Sequence, residues 1–154
     1  MKVMMVSLLS VFILLAAACQ KQNGPAPDEN LVTAASVTSL HNVEWQLQKM
    51  IVNKQEFDLV ADSEVSLQFT EEGKVAGKSS VNQYFGAVSI DDKGALQWPE
   101  PGFGSTMMAG PPELMNQERT YLDALRATDR AYLNDSSLTF QNTDQSYLLE
   151  FRRK

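Results

Sequence analysis

A chain of 154 residues has room for one modest domain and a short additional segment. Its residues are 44% apolar and 21% charged, with 8 Gly and 6 Pro, which excludes disordered and collagen-like classes. A net charge of −6 argues against a nucleic-acid partner, whose phosphates require clustered cations. The single Cys excludes an internal disulfide, and the single His excludes His-rich metal centres. No metal and no cofactor is therefore expected.

The N-terminus reads as an address. Lys2 is followed by an apolar run from Val3, interrupted by Ser7 and Ser10 and closed by Ala16-Ala17-Ala18-Cys19. The run is short for a membrane span, which needs about 20 apolar residues, and its small closing residues suit a cleavage site. The block resembles a bacterial lipoprotein signal with its lipobox, although Leu is usual where Ala16 stands. That resemblance implies cleavage before Cys19, acylation at Cys19 and attachment to the membrane through several acyl chains. Gln20, where an inner-membrane retention signal would have Asp, points to the outer membrane, facing the periplasm. The segment 20–40 contains Asn23-Gly24-Pro25-Ala26-Pro27 and few bulky apolar groups, as a tether would. The organisation expected is a signal over 1–18, a lipidated Cys and flexible tether over 19–40, and a folded domain over 41–154.

Within the folded part, Val43, Trp45, Leu47 and Ile51 follow a two-residue period against Glu44, Gln46 and Gln48, predicting a half-buried strand. Val65, Leu67 and Phe69 alternate with polar residues and run into Glu71-Glu72-Gly73-Lys74, a hairpin turn that returns as a strand over 75–80. Tyr84, Val88 and Ile90 predict one further strand, turned by Asp91-Asp92-Lys93-Gly94 into Ala95 to Trp98. Pro99-Glu100-Pro101-Gly102-Phe103-Gly104 predicts a loop, because two prolines lack donors. Residues 105–109 suit a short strand. Pro111 and Pro112 suit a helix entrance and Glu113 its dipole. Leu114, Tyr121, Leu122 and Leu125 recur at helical spacing, with Gln117, Arg119, Asp123 and Arg126 assigned to the surface. Beyond Thr128, two strands are expected, around Leu138 with Phe140 and around Tyr147, Leu149 and Phe151. The fold class is α+β, mainly antiparallel β. It takes the form of a strongly bent sheet or partly open barrel with one main helix near 112–128.

This order of features resembles the META domain (HslJ-like) family. Trp45-Gln46-Leu47 stands at its first-strand Trp-x-Leu. Asn82-Gln83-Tyr84-Phe85-Gly86 is similar to its Cys-Asn-x-Tyr-x-Gly, with Val81 in place of the Cys. Thr106-Met107-Met108-Ala109-Gly110 is similar to its Thr-x-Met-Ala-Cys, with Gly110 in place of the Cys. Glu118, Tyr121, Ala124 and Leu125 match its helix pattern. The resemblance implies structural roles for Trp45, Leu47, Asn82, Tyr84, Gly86, Thr106, Met108, Ala109, Glu118, Tyr121 and Leu125. If the family's two cysteines pair, losing both at once is coherent, because one alone would leave a free thiol in an oxidising compartment.

No catalytic set emerges. His41 has no second His or Cys beside it and reads as an exposed loop residue. Asp91-Asp92 and Glu71-Glu72 read as turn chemistry rather than cation sites. Ser105-Thr106 offers hydroxyls without a base, and Gly102-Phe103-Gly104 lacks a phosphate-loop Lys. Asn82 suits backbone bonding at a strand entrance. Phe103, Met107, Met108 and Met115 could line an apolar pocket, although core filling is the commoner use of Met. The function expected is a non-enzymatic, lipid-anchored envelope protein, its domain monomeric, that contacts another envelope component in stress response or envelope integrity. The alternative is a pilotin-like chaperone or carrier of an apolar ligand or peptide.

Overall fold

The computed structural model describes residues 30–71 and 73–154. The signal segment, Cys19 and Glu72 of the expected turn lie outside the described residues. Strand β1 (Glu44–Val52) buries Trp45 and Leu47, then a register shift between Leu47 and Lys49 intervenes. One extra residue reverses the side-chain alternation. Met50 is therefore fully buried, and Ile51, assigned to the inner face by strict alternation, is only half-buried. A two-residue strand, β2 (Gln55–Glu56), folds back on the end of β1.

Next come β3 (Ser66–Glu71), antiparallel to β1, then β4 (Lys74–Lys78) antiparallel to β3 and β5 (Gln83–Ala87) antiparallel to β4. Gly73 turns β3 into β4 with φ +70°, a conformation that favours glycine. The single strand expected across Tyr84, Val88 and Ile90 is instead two. After β5 the Val88 N–H still donates to Gly73 O at 3.0 Å, in register with β4, and the chain then leaves the main sheet. β6 (Ser89–Ile90) then pairs only with β7 (Leu96–Gln97), in a separate small sheet. β8 (Gly104–Ser105) returns beside β5.

Helix α1 (Pro112–Arg126) opens on two prolines and packs against β1 and β11 (Tyr147–Arg153). Between them lie β9 (Arg130–Leu133) and β10 (Ser137–Gln141). The periodicity of the sequence did not disclose β9. The main sheet runs β8-β5-β4-β3-β1-β11-β10-β9, with β2 off this path. Its terminal strands do not pair with each other, so the domain is an open antiparallel sheet with one main helix and not a barrel.

The β9 edge is covered by the segment that precedes β1. Leu31 bridges Tyr132, Val32 N donates to Ala131 O at 2.8 Å, and Leu133 N donates to Asn30 O at 2.8 Å. Val32 and Leu40 are buried. Residues 30–32 thus cover the β9 edge, which would be costly to leave bare, and residues 30–40, expected as tether, belong to the folded unit.

The core closes around six aromatic rings in a circuit: Trp98, Phe103, Tyr84, Tyr121, Phe151 and Phe140. Neighbouring centroids lie 5.3 to 6.4 Å apart. Such pairs contribute ~0.5–1.5 kcal/mol each beyond their area burial. Phe103 reaches the circuit because Gly86 has no side chain; a Cβ there would lie 2.6 Å from the Phe103 ring.

Candidate functional site

The densest polar arrangement among the described residues lies where the turn after β4, the first half of α1 and the segment after β8 meet. Ser80 holds φ at 102°, a conformation side chains rarely adopt. Three bonds secure this turn: Ser80 N to Glu64 O at 3.1 Å, Ser79 N to Asn82 O at 2.8 Å, and Gln117 Nε2 to Ser80 Oγ at 2.6 Å. Gln117 also donates to Ser63 Oγ and accepts from Val60 N. It is fully buried, contrary to its assignment to the helix surface. A Gln can lie on the inner side of a helix when all its polar atoms find partners, and those partners lie nearly forty or more residues away.

Asn82 and Glu118 form the centre. The Glu118 carboxylate accepts from Asn82 N at 2.8 Å, Asn82 Nδ2 at 2.8 Å and Ser79 Oγ at 2.9 Å. Asn82 Oδ1 accepts from Met108 N at 2.8 Å and Thr106 Oγ1 at 2.7 Å, while Nδ2 also donates to Met108 O. The Asn82 amide thus pairs with the Met108 backbone as a neighbouring strand's peptide would. Hydrogen bonds to a charged group contribute about 1.5–3 kcal/mol each. Four of the motif residues, Asn82, Thr106, Met108 and Glu118, are therefore in one network that joins helix, turn and edge segment. Sequence periodicity could not have supplied Ser79 or Gln117.

Tyr84 and Tyr121 form a second linked pair, both fully buried, with hydroxyl oxygens 2.7 Å apart. Tyr84 donates to Ser66 O at 3.0 Å, which leaves Tyr121 as donor to Tyr84. Burial raises both phenols above the ordinary tyrosine value, and the nearby Tyr84 raises Tyr121 further. Trp45, Leu47 and Leu125 are core residues, Gly86 lies beneath Phe103, and Ala109 is exposed.

The apolar pocket expected from Phe103, Met107, Met108 and Met115 is not formed. Phe103 packs into the aromatic circuit, whereas Met107 is 98% and Met108 55% exposed. Polar Asn82 and Thr106 hold the backbone on either side of Met107, so its side chain projects away from the core. A different recess, about 190 Å3, lies between Ala34, Val37, Phe69 and Val88.

Elsewhere, His41 bridges Phe69 at the start of the sheet. Asp91 Oδ1 accepts from Lys93 N and Ala95 N, closing its own turn. Lys154 and Lys78 both reach Glu64, and their hydrogen bonds hold its carboxyl below the usual range. Among the described residues no cluster of His, Cys, Asp and Glu could hold a metal ion, and no helix is long and apolar enough to cross a membrane.

The family model described as the META domain matches residues 38–154. No curated protein matches the chain. Among solved structures, an NMR structure of a protein from Burkholderia xenovorans is similar at 21% identity. It has a TM-score of 0.67 and covers 88% of this chain and 96% of its own. A crystal structure of a duf4847 family protein from Bacteroides vulgatus ATCC 8482 is similar at 10% identity. Its TM-score is 0.54, with coverage of 75% and 95%. At these identities the likeness is one of fold.

Proposed function

The chain belongs to the META domain family, and on that premise we propose that it is a non-enzymatic module of the bacterial cell envelope, anchored by lipid at Cys19. It contacts another envelope component, in a role in stress response or envelope integrity, from the periplasmic side of the outer membrane. The observation that carries the reading is the apolar run closed by Ala16-Ala17-Ala18 directly before the chain's one Cys. The short stretch from Cys19 to residue 30 would then join the anchor to the strap on β9. The non-enzymatic part draws on the polar network, in which Asn82 and Glu118 are engaged with the protein's own backbone and side chains. Met107 and Met108 face outward and line no pocket, which favours the contact module over a carrier.

Cells expressing the full chain and grown with a fatty-acid analogue test the anchor. Wild type should be labelled and recovered with membranes, and Cys19→Ser should lose the label. Equal labelling of both overturns the reading.

A further inference from the structure

We propose that the free edge of β8, with the residues that continue it to 108, is a docking site where an extended, largely apolar segment of a partner protein adds as a further strand. This site would serve the envelope contact proposed above and rests on that reading for the partner's location.

β8 ends the main sheet, and no strand among the described residues lies beyond it. Its ladder with β5 pairs Phe85 with Gly104 and Tyr84 with Ser105. Thr106 N then donates to Gln83 O at 3.0 Å, and Met108 bonds the Asn82 amide in both directions. In an antiparallel ladder these inward bonds alternate along the strand. Ser105 and Met107 therefore turn their N–H and C=O groups away from the sheet. The result is a strand edge that extends past the last regular pairing because a side-chain amide stands in for the missing partner.

The edge also has two exposed apolar side chains beside it. The Phe85 ring, 63% exposed, lies across Gly104, whose absent side chain leaves it room. Met107 lies just past the regular ladder and is nearly fully exposed. An added strand would pass both Phe85 and Met107.

Charge decides the occupant. Exposed edges are commonly protected by Lys or other charges, yet residues 101–112 carry none. The charges that flank it in sequence are Glu100 and Glu113, both exposed, in a chain of net charge −6, while the Arg126 guanidinium at its entrance is turned onto the Phe103 ring. A second copy would bring the same acidic flanks and net charge. A partner strand with an apolar centre and cationic ends is complementary instead. Main-chain bonds supply much of the affinity in strand addition, so a generic strand is an adequate probe.

Amide hydrogen exchange is measured on the full chain in detergent solution, with and without the synthetic peptide Lys-Lys-Val-Thr-Val-Thr-Val-Thr-Lys-Lys. The Ser105 and Met107 amides should slow by about tenfold or more with peptide, and the Thr106 amide, already bonded, should not change. Met107→Pro removes one outward N–H and should abolish protection at Ser105 while circular dichroism stays native. Should that variant misfold, Phe85→Ala combined with Met107→Ala should weaken the peptide by about tenfold or more. Unprotected amides in wild type, or protection that survives these changes in folded protein, overturns the site. Protection that rises with protein concentration in the absence of peptide overturns the occupant in favour of a second copy. Peptide protection is read independently of fatty-acid labelling, so the failure of one does not imply the failure of the other.

Discussion

The Val81 Cβ lies 3.4 Å from the position a Cβ would take on Gly110, and the Val81 Cγ2 lies only 2.6 Å from it. Bridged cysteines hold their Cβ atoms about 3.5–4.5 Å apart. The two positions at which the motifs of the family carry Cys therefore stand at bridging separation here, with a valine methyl filling the space. Gly110 does not have a positive φ, so its backbone is open to a side chain once that methyl is gone.

In a Cys19→Ser background, Val81→Cys with Gly110→Cys should oxidise spontaneously and stabilise the domain by ~3–4 kcal/mol, the chain-entropy value for a loop of about 30 residues. Thiol titration and thermal melts under oxidising and reducing conditions measure this. A variant that keeps two free thiols in air removes the geometric basis for the pairing.

Gly110→Ala alone should destabilise by roughly 1–3 kcal/mol, as overpacking does, because its Cβ meets Val81 Cγ2. Adding Val81→Ala should return most of that loss. Urea denaturation of the two single variants and the double variant gives the coupling; simple additivity would deny that the residues share one space.

Asn82→Ala should cost ~3 kcal/mol or more, since Glu118 loses a side-chain donor and Met108 N–H loses its acceptor. Asn82→Asp sets a second carboxylate against Glu118, and like charges raise carboxyl pKa values. That variant should be least stable at neutral pH and regain stability as pH falls. Chemical denaturation at pH 7 and pH 4.5 checks the sign, and equal loss at both pH values would count against the contact.

Tyr84 and Tyr121 make stability fall in alkali. Their folded pKa values are raised, chiefly by burial, so the folded state retains protons that the unfolded state releases. The contribution is complete below about pH 10, the ordinary tyrosine value, and is lost as pH rises beyond it. Melts between pH 9 and pH 11.5 should show this decline, and the double change Tyr84→Phe with Tyr121→Phe should flatten it. An equally steep decline in that variant would place its cause elsewhere.

Trp45→Ala should lower stability by ~3–5 kcal/mol, the usual cost of truncating a buried aromatic. Trp45 Nε1 has no hydrogen-bond partner among the described residues, so the loss comes from apolar packing and from the Arg153 guanidinium over the ring. An unchanged melting curve would contradict its burial.

The regular alternations in β3 and β10 and the helical spacing of Tyr121 and Leu125 were legible in the sequence, because each repeats over neighbouring residues with the period of its element. β9 was not legible: Arg130 to Leu133 is too short to show a period, and its strand conformation depends on β10 and on residues 30–32. Ile51 was misplaced for a related reason. A bulge beside β11 changes which residues face inward without leaving a local mark at Leu47.

The sequence by itself determined the apolar faces, the Pro-led helix entrance and the proline-rich loop before β8, since these depend on side-chain chemistry and backbone restriction within a few residues. Tertiary structure alone decided that Gln117 is buried, that Asn82 serves as a strand partner for Met108, and that Met107 faces solvent. A polar side chain can be buried only when distant segments complete its hydrogen bonds, and an apolar one is left outside when such bonds fix the backbone around it. Those bonds join Val60, Ser80, Asn82, Met108 and Glu118 across long stretches of chain, so no local pattern could have announced them.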